Sequence, residues 1–340
     1  MAPRAAAAVA VVALVCAVQS SLSGAAVPGL SPGFYKTTCP RLEQIVNAQV
    51  TATFNNDQGV APALLRILFH DCFTQGCDAS VLIKGRGSEQ IPGGPNGTLR
   101  RVALDLIDRI HREAQAACPR VVSCADVTVL ATRDALFKAG GPRFNVDLGR
   151  LDSFAPAPDK VNDLPSPFDG ADSHIQAFKA RKLSTDDLVS LSGAHTFGVA
   201  HCGVIAPRGT PSMDPQLAEK LRKTCTKPTA TTTQDLDVLT PHVFDNKYYL
   251  GLTQKKGMFL SDQSLIDHPL TKNLALTFSK NQTAFFIEFA KSMTKMTEMG
   301  VITSKLQGEV RADCTVAGKP PRIEAATAAD QGFTADMLCM

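Results

Sequence analysis

Cysteine usage constrains this chain more than any other feature. Of its ten cysteines, Cys16 lies in a leading apolar run and Cys339 is the penultimate residue. The other eight are Cys39, Cys72, Cys77, Cys118, Cys124, Cys202, Cys225 and Cys314. An even set in a secreted chain reads as four disulfides, whose connectivity spacing alone does not fix. Zinc is the competing reading, and no paired CxxC spacing supports it. Secretion is read from residues 5–18, AAAAVAVVALVCAV, an uncharged run after Arg4 followed by Ser23, Gly24, Ala25 and Ala26. That is the pattern of a signal peptide over residues 1–25, cut near Ala25 or Ala26. The run is too short and too rich in Ala for a membrane span, and no later stretch reaches spanning length. The 340 residues, 44% hydrophobic, are ample for one or two domains, and a net charge of +3 argues against nucleic acid as a partner.

Residues 64–80, LLRILFHDCFTQGCDAS, carry the strongest signal of a site. Arg66 and His70 interrupt an apolar helix and, four residues apart, share one face. A buried arginine costs several kcal/mol unless compensated, so the pair marks either a site or a structural Arg–His contact. Cys72 and Cys77 then bracket a Gly-containing loop with Asp71, Asp78 and Ser80 beside it. Hard oxygen donors on a tight loop suit calcium; a disulfide loop with solvated aspartates is the plainer alternative.

Elsewhere the patterning is helical, and the class is mainly α. Apolar spacing predicts helices over 39–56, 99–117, 124–137, 270–278 and 283–299, another just before Leu183, and one starting near Asp245. Ser184 and Asp187 form a capping box for a helix over 186–192, with His195 at its end. Residues 85–98, 149–170, 205–215, 226–241 and the KGMFLSDQSL segment read as loops. Strand is expected only as fragments near Asn145–Leu148, and His111, among charged residues, is expected to be exposed. His195 and His201, six positions apart, fall on different helix faces and do not form a chelating pair.

Six motifs occur together and in order: LLRILFHDCFTQGCDAS, VVSCADV, AGGP, DLVSLSGAHTFG, TPHVFDNKYY and LSDQSL. With them the chain resembles the secreted plant haem peroxidases of class III over about residues 31–314. The resemblance implies a mainly α haem-peroxidase fold with minor β, a haem peroxidase domain over 26–314 and a C-terminal extension over 315–340. Haem b would lie between a distal half, about 31–165, and a proximal half, about 166–314. Two calcium ions are implied as further cofactors.

The same resemblance assigns roles. His195 matches the axial ligand of the haem iron, and Asp262 the carboxylate that accepts its other ring N–H and makes the imidazole electron-rich. His70 matches the base that takes a proton from hydrogen peroxide and returns it to the outer oxygen. Arg66 supplies positive charge there, and Asn96 accepts a hydrogen bond from His70. Pro165 matches the substrate-access proline and Phe69 the distal aromatic, for phenolic donors oxidised one electron at a time. Asp71, Thr74, Gly76, Asp78, Ser80 and Glu89 match a distal calcium site. Thr196, Asp237, Thr240, Val243 and Asp245 match a proximal one. The family's disulfides carry over as Cys39–Cys118, Cys72–Cys77, Cys124–Cys314 and Cys202–Cys225.

There are departures from the family pattern. The Glu89–Asn96 loop is one residue longer, Arg101 stands for a Gly, Leu151 for an Arg and Phe144 for a Trp, and the Cys202–Cys225 loop is short. Cys339 has no family partner. Two glycosylation sequons begin at Asn96 and Asn281; Asn281 is expected to be used and Asn96 to be protected by its position. The alternative function is a secreted calcium-binding protein with this fold and no turnover. The expected location is outside the cell, in the wall, with the vacuole as the alternative; the expected state is a monomer, with no membrane or nucleic-acid partner.

Overall fold

A computed structural model describes residues 27–205, 213–227, 229 and 231–321. The signal-peptide reading, Cys16, Cys339 and the extension beyond residue 321 lie outside the described residues. Helices dominate. The first group is α1 (Leu42–Asn56), α2 (Val60–Cys72), α3 (Arg101–Ala117) and α4 (Cys124–Lys138). The second is α5 (Ala171–Ala180), α6 (Thr185–Ser192), α7 (Pro215–Thr224), α8 (Lys247–Thr253), α9 (Leu260–Asp267), α10 (Pro269–Lys280) and α11 (Gln282–Thr297).

Helix α4 is buried along most of its length. It packs against α1, α2 and α3. Ser123 caps it, its Oγ accepting from Asp126 N–H at 3.2 Å. Its buried threonines return their hydroxyls to the helix, Thr128 to Cys124 O and Thr132 to Thr128 O, so no donor is stranded. Helix α2 packs on α4 and is buried over Ala63–Leu65 and Ile67–Leu68. Its part-exposed stripe is Arg66, Phe69 and His70. The otherwise apolar helix thus carries these three side chains on one face.

A buried ion pair ties the two groups together. Asp126 and Arg150 are both sealed from solvent and meet at 2.8 Å. Tyr35 Oη and the Gly149 N–H also donate to Asp126. The far side of the Arg150 guanidinium donates to Thr297 O at the end of α11. With every polar atom partnered, the pair holds fixed geometry at low desolvation cost. The disulfides are Cys39–Cys118, Cys72–Cys77, Cys124–Cys314 and Cys202–Cys225.

Four expectations need correction. The β-ladder lies not near Asn145–Leu148, where Leu148 makes a single bridge to Ser31, but at β1 (Val199–His201) pairing antiparallel with β2 (Thr233–Asp235). Both strands are too short to show an alternating pattern. The segment around Ser261 and Asp262 is helix, not loop, as the first turn of α9. Helix α7 begins within the stretch read as loop and is started by the Asp214 cap, its Oδ1 accepting from Leu217 N–H. His111 is buried, and Gln115 Nε2 meets its Nε2 at 3.0 Å. Its sequence neighbours are charged, but on the helix it shares a face with buried Leu104, Ile107 and Ala114. Burial therefore lowers its pKa. Of the departures, Phe144 and Leu151 are buried, while Arg101 sits on the surface beside Asp105.

The distal loop meets the end of α11 through two glycines. A Cβ on Gly300 (φ +55°) would run into the carbonyl of Gln75 and the Cα of Gly76; one on Gly76 (φ +144°) would strike Gly300. We expect Gly300→Ala to cost about 2–5 kcal/mol, from left-handed strain plus overpacking against rigid backbone. Gly85→Ala, at φ +95° in open space, carries strain alone and should cost less. Calorimetric melting of both variants checks this, and equal shifts would refute the close-approach argument.

Candidate active site

His70 and Asn96 define one side of the site. His70 Nδ1–H donates to Asn96 Oδ1 at 2.6 Å, so Nε2 is left with its lone pair and has no partner among the described residues. Asn96 is buried and carried by the 3-10 turn Pro95–Thr98. The extra residue in the preceding loop therefore does not displace it. Arg66 reaches the same turn: Nη2 donates to Pro95 O at 2.7 Å and to Thr98 Oγ1 at 3.0 Å, and Nη1 to Thr98 O at 3.1 Å. Among the described residues no carboxylate pairs with it. Burial lowers the pKa of Arg66. Burial, then repulsion from Arg66, pushes His70 down from 6.5 to about 3. His70 is therefore a neutral base beside a cation. Phe69 flanks it and packs on Phe73 at 5.0 Å.

The second histidine is arranged differently. The capping box of α6, Ser184 with Asp187, forms as expected. The helix then tightens into a 3-10 turn, Gly193–Thr196, which presents His195. His195 Nδ1–H donates to Asp262 Oδ1 at 2.7 Å; Asp262 is buried while the His195 ring is 37% exposed. Its Nε2 carries no hydrogen bond among the described residues. Tyr248 Oη also donates to Asp262 Oδ1, at 2.9 Å, and the Phe259 N–H donates to Oδ2 at 2.9 Å. Burial, then Asp262, raises the Tyr248 pKa well above its ordinary value, so the phenol remains a donor. Motif matching missed Tyr248. The need of a buried carboxylate for more donors than one imidazole supplies was the available signal.

An imidazole whose Nδ1–H is held by a buried carboxylate and whose Nε2 is open has the donor chemistry of a haem-iron ligand. That is the ground on which the residues fit haem. Pro165 is half-buried in a strap whose Ser166 O meets His174 Nε2 at 2.9 Å and whose Pro167 O accepts from Ser261 N–H at 3.4 Å. The strap is thus anchored next to Asp262.

Two clusters of oxygen atoms complete the picture. In the first, Ser80 Oγ and Glu89 Oε2 are buried without a partner. Burial, then Asp78 and more weakly Glu89, raises the pKa of Asp71 well above the usual carboxylate range. Burial also raises Asp78 and Glu89. Orphaned oxygens among crowded buried acids fit a cation. Arg311 braces this loop, donating to Ala79 O at 2.9 Å and Asp78 O at 3.3 Å. Gly76 supplies backbone at the glycine contact. The carbonyl of Thr74, assigned to the same cation, already accepts from Arg181 Nη2 at 2.5 Å, which leaves it one lone pair.

In the second cluster, Thr196 Oγ1 lies 3.5 Å from Asp237 Oδ2 and 3.2 Å from Asp245 Oδ1. Thr240 Oγ1 lies 3.2 and 3.1 Å from the same two atoms. Two hydroxyls have two protons for these four contacts, so the set is a cage of oxygens with room for a cation's charge. Burial raises the Asp237 pKa, and Asp245 adds to it. Val243 shares the turn, its N–H donating to Thr240 O at 3.1 Å. Asn96 is buried, whereas Asn281 is exposed and caps α11, its Oδ1 accepting from Ala284 N–H at 3.0 Å.

Comparison with known proteins shows the family of the chain. A family model described as Peroxidase matches residues 46–281. Peroxidase 12 of Arabidopsis thaliana is 43% identical over 299 residues, covering 85% of this chain and 83% of its own. Cationic peroxidase SPC4 of Sorghum bicolor is 42% identical over 302 residues, covering 85% and 82%. Peroxidase 44 of A. thaliana is 40% identical over 300 residues, covering 87% and 95%.

The titration of His70 is directly checkable. Its imidazole should stay neutral by NMR from pH 7 to about 4 and protonate only near 3. Arg66→Leu should raise that value by removing a repelling cation, while burial keeps it below 6.5. In the unfolded chain the group protonates near 6.5, so its contribution to stability is complete above that pH and is lost as the pH falls toward 3. A His70 signal that titrates at 6 or above would refute the assignment of its environment.

Proposed function

Since this chain belongs to the class III plant peroxidase family, we propose that Arg66, His70 and Asn96 handle hydrogen peroxide, and that His195 with Asp262 holds the haem. The enzyme is a haem peroxidase, with hydrogen peroxide as acceptor. One observation carries the assignment of residues: both imidazoles are fixed through Nδ1, His70 by a neutral amide and His195 by a carboxylate, and both leave Nε2 open.

Bound haem supplies an iron that activates hydrogen peroxide and passes oxidising equivalents to donors. The protein's part is proton and charge management. His70 Nε2 accepts a proton from hydrogen peroxide and delivers it to the oxygen that departs as water. Its low pKa keeps it ready to accept at neutral pH. The Arg66 guanidinium, held by the Pro95–Thr98 turn, offsets negative charge on the oxygen pair as the bond breaks. One peroxide then becomes two waters as each of two donors gives up one electron and one proton. Pro165 in its anchored strap and Phe69 support small phenols as those donors.

The distal half, about 31–165, and the proximal half, about 166–314, are read as the two walls of one domain over 26–314. Each would carry one calcium. Asp71, Thr74, Gly76, Asp78, Ser80 and Glu89 would hold the first; Thr196, Asp237, Thr240, Val243 and Asp245 would hold the second. Thr196 adjoins His195, so the second ion would fix the backbone that carries the iron ligand. No helix among the described residues is long and apolar enough to cross a membrane, which is consistent with a secreted enzyme of the wall or vacuole. The alternative without turnover finds no favouring feature, because Arg66, His70, His195 and Asp262 are all present and bonded.

Two tests follow. His70→Leu should retain haem and react with peroxide about 10²–10⁴-fold more slowly in stopped flow, whereas His195→Ala should lose haem absorption. A loss under tenfold for the first, or an unchanged spectrum for the second, removes that residue from its role. Strong chelation should lower both guaiacol oxidation and melting temperature, with added calcium restoring part of each. Asp245→Ala should mimic chelation more closely than a surface Asp→Ala. Full activity after metal analysis has verified removal of calcium would defeat the calcium reading.

A further inference from the structure

Resting on the reading of His195 as the iron ligand, we propose that Tyr248 is a positioning residue that sets how strongly Asp262 pulls on the His195 N–H. Its hydroxyl donates to Asp262 Oδ1, the same oxygen that accepts from His195 Nδ1. The two bonds are 2.7 and 2.9 Å long, and the other oxygen, Oδ2, is occupied by the Phe259 N–H.

Two donors on one oxygen share its electron density, so each weakens the other's bond. The phenol therefore limits how far Asp262 can draw the proton from His195, and with it the anionic character of the ring. Low local dielectric strengthens this competition, since Asp262 is 2% exposed and Tyr248 4%. The Tyr248 hydroxyl makes no other bond among the described residues, and its ring meets the His195 ring edge-on, at 6.1 Å and 84°. It is thus placed both to shape the pocket of the histidine and to tune its acceptor.

A buried tyrosine can also be no more than a packed ring with a satisfied hydroxyl. The neighbouring Tyr249 is such a case. It is fully buried, and its hydroxyl donates to the backbone carbonyls of Val189 and Ser190. Tyr249→Phe is therefore the matched control: the same atom is lost in the same helix, away from Asp262.

The experiment is resonance Raman of the ferrous holoenzyme, reading the iron–histidine stretch, with the ferric/ferrous midpoint potential alongside. In the wild type the band should be present and should vanish in His195→Gly; if it is absent or survives, the reading of His195 fails. Tyr248→Phe should raise the band frequency and shift the potential negative, because Asp262 then acts on His195 alone. Replacement of Tyr248 by 3-fluorotyrosine, a stronger donor of nearly the same shape, should lower the band. It carries the test by itself if Tyr248→Phe fails to fold. With the wild-type band in place, an unmoved band in the variant that folds, or an equal shift in Tyr249→Phe, overturns the proposal.

Discussion

The guanidinium of Arg66 is a part-exposed cation with no anionic partner among the described residues, and His70 and Asn96 are arranged around it. It is stabilised by two carbonyls and a hydroxyl, all from the turn Pro95–Thr98. That turn also carries Asn96, whose amide fixes the His70 tautomer. Two separate requirements converge on four residues of backbone: a home for the charge, whose repulsion adds to the effect of burial on His70, and an orienter for the base. A carboxylate in place of those carbonyls would neutralise Arg66 and remove the field on His70. Without a salt bridge among the described residues, the Arg66 charge is free to act on its neighbours, as its effect on His70 shows.

The contrast between the two histidines follows from the charge of their acceptors. An amide oxygen orients His70 without adding electron density, which suits the proton carrier proposed for it. A carboxylate gives His195 electron density, which suits the metal ligand proposed for it. Identical geometry at Nδ1 thus yields different chemistry at Nε2. The environment of Asp262 then matters in its own right, since its three donors determine how much of that density the imidazole receives.

Much of this was legible in the sequence, and unevenly so. Arg66 and His70 stood out because helical spacing places them together and because charge in an apolar helix calls for an explanation. The capping box at Ser184 was legible because it needs only local residues. His111 was misjudged since neighbours in sequence are not neighbours on a helix face. The ladder between β1 and β2 was missed because three-residue strands leave no period to read. Tyr248 and Arg181 were invisible for a third reason: their partners, Asp262 and Thr74, are 14 and 107 positions away in the chain. The pairing of Asn96 with His70 came from resemblance to a family, not from any local rule.

The glycine contact between the distal loop and the end of α11 has a consequence for the order of assembly. The loop 71–80 is an early piece of the chain, yet its supports come late. Cys77 Sγ meets Met296 O across 219 positions, and Arg311 reaches Ala79 and Asp78 across 232 and 233. The Cys124–Cys314 bond spans 190 more. Each of these supports is a long-range contact, the kind whose loop-closure entropy must be met before the contact is gained. A chain lacking residues 296–314 would leave Asp71 and Asp78 without them, so the burial of these acids is tied to the far end of the described chain.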